Sequence, residues 1–177
     1  MPEINRGALN KLPRLLRGYG KTFAGYSKTY PAAVILVCDL DGKCLTAFRE
    51  ELQNILEACD PRPTTRFCIA IEEGEAWFFG DIPAIKAAYP RAKDAVLNAY
   101  VNDSICGTWE CLADAVYQGG ATALSSKGWQ AIGTEKSRWA ERICPEMNVE
   151  KNRSPSFAYF LRQMIELTQN ASLEDDV

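Results

Sequence analysis

Four carboxylates have the types and positions for chemistry: Asp39 and Asp41, then Glu72 and Glu75. The first pair closes the apolar run Ala32-Ala33-Val34-Ile35-Leu36-Val37-Cys38-Asp39-Leu40-Asp41-Gly42, and the second follows the run Phe67-Cys68-Ile69-Ala70-Ile71. Oxygen donors in such a cluster suit Mg²⁺ or Mn²⁺, with Asp39 and Asp41 as the metal pair. A metal there stabilises a phosphoryl transition state and activates water, which makes Asp39, Asp41, Glu72 and Glu75 the catalytic candidates. Lys136 and Arg153 are the candidate phosphate contacts. The plain alternatives are turns containing Asp and Gly, and surface cations near helix ends.

Two strands must position these acids. A continuous β-branched run without alternation describes a strand covered by helices on both faces. Leu45, Phe48, Leu52, Ile55 and Leu56 supply the amphipathic helix that follows, to about Cys59, where Asp60-Pro61-Arg62-Pro63 ends it. Strand, helix and strand in that order imply a right-handed parallel crossover, which brings both acidic clusters to one sheet edge. Ligands of open α/β sheets bind beyond that edge.

The remaining elements are helical. Leu9, Leu12, Leu15, Leu16 and Tyr19 recur at helical spacing, and Pro13 kinks that helix or begins a new one. Trp77 opens a short helix as a core aromatic, and Asp81 caps the next, with Pro83 in its first turn. Thr108 is the expected cap of a helix ending at Gly119-Gly120, and residues 118 to 133 read as a surface loop. Thr134 opens a helix to about Cys144, and Ser154 with Pro155 starts the last one.

Composition narrows the classes. At 177 residues the chain suits one α/β domain over residues 1–170, with an acidic disordered tail at 171–177. There are seven cysteines, without a CxxC pair, and no histidine, which excludes the usual zinc spacings and any His-dependent triad. The thiols fit a reduced cytoplasmic setting, and no membrane span or export signal is expected. Net charge is −3, so bulk charge does not favour nucleic acid. Yet Arg6, Lys11, Arg14, Arg17, Lys21 and Lys28 oppose only Glu3 in the first thirty residues. That run is either a solvated face or a stripe for a phosphate backbone.

Val37-Cys38-Asp39-Leu40-Asp41-Gly42 resembles the nucleophile motif of haloacid-dehalogenase-type phosphatases. That resemblance implies an aspartyl phosphatase. Lys43 and the Glu72 strand end depart from its pattern.

A broader likeness covers nearly the whole chain. It is carried by Lys11-Leu12-Pro13-Arg14-Leu15-Leu16-Arg17-Gly18-Tyr19, the strand into Asp39 and Asp41, and Ile69-Ala70-Ile71-Glu72-Glu73-Gly74-Glu75-Ala76-Trp77-Phe78-Phe79-Gly80-Asp81. Gly107-Thr108-Trp109-Glu110, Lys136, Pro145-Glu146-Met147 and Asn152-Arg153-Ser154-Pro155-Ser156-Phe157 follow in order. Together they resemble the Toprim-like bacterial domain-of-unknown-function family 4276. The resemblance implies a Toprim-like fold: a small, mostly parallel sheet flanked by helices, with a helical C-terminal part. It implies Mg²⁺-dependent cleavage or phosphotransfer on nucleic acid, and an ABC or OLD-like ATPase partner in antiphage defence. It also implies an earlier Glu-bearing strand that this chain lacks. Without that general acid and base, a catalytically impaired adaptor of an ATPase complex is the alternative.

Overall fold

The structure is a computed structural model that describes residues 6–26 and 30–173, with side chains described over 9–26 and 30–169. Lys28 and the tail acids Glu174, Asp175 and Asp176 lie outside the described residues, as do Glu3 and the Arg6 side chain. The backbone forms two compact units. The first comprises residues up to Val37, Lys43–Cys68 and the chain from Arg162; the second comprises Cys38–Gly42 and Ile69–Leu161.

In the first unit, helix α1 (Arg6–Ala24) is amphipathic and continuous through Pro13. Leu12 and Leu16 are buried. Their burial, about 1.5–3 kcal/mol each, offsets the hydrogen bond that Pro13 removes. Strand β1 (Val34–Asp39) leads to helix α2 (Leu45–Glu57), which buries Phe48, Leu52 and Leu56, and then to strand β2 (Thr65–Ala70). Among the described residues these two strands make a two-stranded sheet. Val34 N–H donates to the Thr64 carbonyl and Leu40 N–H to the Ala70 carbonyl, an unchanged offset in ascending order that makes the pair parallel. The expected α/β architecture therefore stands, but not the expected cover. Val37 is 49% exposed and β1 is only half-buried, because a two-stranded sheet offers few neighbours to cover it.

Two glycines of α1 make a matched test. A Cβ on Gly20 would collide with the Pro61 carbonyl, whereas one on Gly18 meets open space. Gly20→Ala is expected to lower stability by about 1–2 kcal/mol, overpacking outweighing the helix-propensity gain. Gly18→Ala should raise it by about 0.5–1 kcal/mol. Urea unfolding of both variants checks the pair.

The second unit is largely helical: α3 (Ala76–Phe79), α4 (Ile82–Ala88), α5 (Asp94–Ala99), α6 (Thr108–Val116), α7 (Gly120–Ser125) and α8 (Trp129–Ile143). A 3-10 turn (Cys144–Glu146) follows, and α9 (Pro155–Leu173) begins here. Its core gathers Phe79, Ile85, Leu97, Leu112, Trp139 and Ile143, all at most 2% exposed. Three boundaries differ from expectation. The cap of α6 is Gly107, at φ 79°, because only glycine adopts that conformation freely, and Thr108 is the first helical residue. Residues 118–133 are not an open loop: Gly119 and Gly128 sit at positive φ as the caps of α7 and α8. Consequently α8 begins at Trp129 and not at Thr134.

Other expectations are met. The Asp81 carboxylate accepts the Ala84 N–H at 3.2 Å as the cap of α4, and also the Asn148 N–H at 2.7 Å. Ser154 caps α9 by accepting the Phe157 N–H at 3.2 Å, with Pro155 first in the helix. The segment 152–156 also clamps α3. Asn152 Nδ2 donates to the Trp77 carbonyl, Arg153 N–H to the Gly80 carbonyl, and Trp77 Nε1 to Ser156 Oγ. Trp77 stacks on Phe160 with ring centroids 5.1 Å apart, so it joins α3 to α9 and does not enter the central core. A side chain on Gly80 would strike Asn152. Among the described residues no helix is long and apolar enough to cross a membrane.

Candidate acidic site

The chemistry-bearing residues collect where β1 and β2 end, all within the second unit. Pairing outlasts the strands: Asp41 N–H donates to the Glu72 carbonyl at 2.8 Å. Asp41 and Glu72 both adopt positive φ, 53° and 60°. These bends turn the chain sharply at each strand end. Gly74 N–H then donates to Asp39 Oδ1 at 2.9 Å, fixing the first aspartate against the loop that carries the glutamates.

Because Glu72 is bent, the three glutamates of that loop diverge. Glu73 and Glu75 both reach Lys136 of α8, whose Nζ lies 3.3 Å and 3.2 Å from their carboxylates. Glu75 is buried and the Glu73 side chain is 19% exposed. Burial pushes the Glu73 carboxyl up to about 7; Lys136 opposes that rise, while Glu75 and Asp39 add to it. The Glu75 carboxyl is likewise raised, first by burial, with Lys136 opposing and Asp39 contributing. Burial alone would lower the Lys136 ammonium, but Glu75 and Glu73 outweigh it and hold its pKa above the ordinary lysine range. Asp39, Glu73, Glu75 and Lys136 therefore form one electrostatically coupled cluster.

Glu72 is engaged elsewhere. Its carboxylate accepts N–H groups from Cys106 (3.1 Å), Gly107 (2.9 Å) and Thr108 (2.8 Å), together with the Thr108 hydroxyl. Burial works to raise its pKa, yet the Thr108 hydroxyl and these N–H groups prevail and lower it. A carboxylate held ionised by the first turn of α6 is an anchor, not a proton-transfer group. Of the sequence-nominated acids, then, Asp39 and Glu75 share a cluster and Glu72 holds α6. Asp41 bends the β1 end beside them, and Lys136 is the cation of the cluster. Arg153 is exposed, with its main chain built into the clamp on Gly80. Glu73, the remaining acid of the run after the second strand, is the participant that the sequence reading left out of the site.

The donors are all oxygen, the kind a hard divalent cation takes, and two of the three carboxylates pair with Lys136. Among the described residues, no three Cys, Asp or Glu side chains already form a group able to hold one ion. The ammonium of Lys136 stands between two of the carboxylates instead.

Compared with known proteins, residues 8–165 match the family model described as a domain of unknown function, DUF4276. No curated protein matches the chain, and no solved structure does.

Proposed function

The chain belongs to the DUF4276 family, and on that premise we propose that it is a metal-dependent, Toprim-like enzyme that acts on the phosphodiester backbone of nucleic acid. The observation that carries this reading is the grouping of Asp39, Glu73 and Glu75 at the strand ends, where burial first, and the neighbouring carboxylates after it, keep a proton on Glu73 up to about pH 7. A carboxyl poised there can hold or release a proton at neutral pH, as a general acid or base must. Asp39, Asp41 and Glu75 are the residues that would hold Mg²⁺ or Mn²⁺. Such an ion would neutralise charge on a phosphate and activate water. Lys136, paired with Glu75, supplies a cation for a phosphate oxygen. An ABC or OLD-like ATPase partner, and a role in antiphage defence, belong to the same proposal through the family resemblance.

One observation favours a second reading. Lys136 already neutralises Glu73 and Glu75, as it would in an adaptor whose acidic cluster is structural.

Thermal unfolding with added Mg²⁺ or Mn²⁺ separates the two, because a ligand of the folded state raises its melting temperature. The wild type should gain about 5–10 °C at a hundredfold excess over Kd. Asp39→Ala with Asp41→Ala should gain nothing. The gain should be larger at pH 8 than at pH 6, since ionisation of Glu73 near pH 7 adds a negative charge beside the metal. Cleavage of labelled DNA or RNA by the wild type would complete the case. No shift at millimolar metal supports the adaptor.

A further inference from the structure

We propose that the exposed face of α1 formed by Lys11, Arg14, Arg17 and Lys21 binds the phosphate backbone of nucleic acid. The proposal concerns binding alone and stands whether or not the acidic cluster is catalytic. All four cations are exposed. Among the described residues none of them is paired with a carboxylate. They recur three or four residues apart, so they follow one side of the helix over about 15 Å. A nucleic-acid strand presents about four phosphates over that length.

Arg14, Arg17 and Lys21 surround a shallow hollow of about 540 Å³, with Gly18 as its remaining wall. Gly18 leaves space there, since nothing lies within 4 Å of where its Cβ would be. The hollow is therefore cationic and unobstructed, without the large apolar groups that an interfacial membrane helix inserts. One boundary is set by charge. Glu50 and Glu51 of α2 line the neighbouring hollow together with Arg17, and they repel a polyanion from that side. The strand is thus confined to the Arg14–Lys21 side of α1. An overall charge of −3 does not oppose this, because screening limits each distant charge to about a Debye length.

The test is fluorescence anisotropy of labelled single-stranded DNA and RNA with the full chain, in chelator and over 50–200 mM salt. Four neutralised phosphates predict a log–log salt slope of about −3, and about a fiftyfold loss of affinity over that range. Arg14→Gln with Arg17→Gln and Lys21→Gln should reduce the slope to about a quarter of that value. Glu50→Gln with Glu51→Gln should tighten binding, and this gain of affinity cannot come from misfolding. Unchanged affinity and slope in both variants would overturn the proposal. So would no binding by the wild type at 50 mM salt, or tighter binding to vesicles rich in anionic lipid than to either oligonucleotide.

Discussion

Glu72→Ala should lower the free energy of unfolding by about 3 kcal/mol, because one carboxylate satisfies three backbone N–H groups and a hydroxyl at the start of α6. Hydrogen bonds to a charged acceptor contribute about 1.5–3 kcal/mol each, and they do not add when they share that acceptor. Thr108 is fully buried, so its groups cannot turn to water for replacement. The backbone can be separated from the carboxylate. Glu72 sits at φ 60°, where glutamate and alanine are equally strained and glycine is not. Glu72→Gly should therefore recover about 1 kcal/mol relative to Glu72→Ala, with the rest of the loss remaining. Because the folded pKa is depressed, this stabilisation is present above the ordinary glutamate pKa and is lost as pH falls through the folded one. Urea midpoints measured at pH 7 decide the matter. If Glu72→Ala leaves the midpoint unmoved, other groups start α6.

The second large effect has the opposite sign in pH. Glu73 titrates near 7 in the folded protein and near 4.5 when unfolded, so the folded state binds more protons between those values. Stability from this group is fully present below about pH 4.5 and disappears as pH rises through about 7. The swing is on the order of 2–3 kcal/mol, and Glu75 adds to it in the same direction. Glu73→Gln removes the ionisable group while Glu75 keeps its contact with Lys136. The variant should match the wild type at pH 5, be more stable by about 2 kcal/mol at pH 8, and show a flatter profile between. Parallel wild-type and variant profiles would mean that Glu73 ionises in the fold at no cost.

The two effects explain each other. Glu72, Glu73 and Glu75 are chemically alike and nearly consecutive, yet one is held ionised and two are pushed toward protonation. The difference lies in what each meets: a helix N-terminus for Glu72, and for the others burial beside further carboxylates, which Lys136 only partly offsets. A positive φ at Glu72 is what separates them.

Much of the scaffold was written in local patterns. The apolar run ending at Asp39, the amphipathic α2 and the prolines after it identify a parallel strand–helix–strand unit, because burial demands those periodicities wherever the unit sits. Asp81 before Pro83 and Ser154 before Pro155 announce helix starts, since capping is satisfied within a few residues of sequence. The convergence of acids at one sheet edge follows from the parallel direction that the crossover imposes on the two strands. Glycine misled the reading of residues 118–133 because its freedom serves a helix cap as readily as a loop. Gly119 and Gly128 use it for caps.

What the sequence by itself determined is therefore the α/β order, the helix starts with capping residues, and Asp39 at a strand end. The tertiary structure decided which acids share an environment. Glu73 and Glu75 meet Lys136 only because α8 returns to the β2 loop some sixty residues later. The Glu72 anchor likewise depends on α6 arriving more than thirty residues later. Periodicity records which face of an element is buried, but not which distant element covers it. The ionisation of a buried carboxylate is set by that partner.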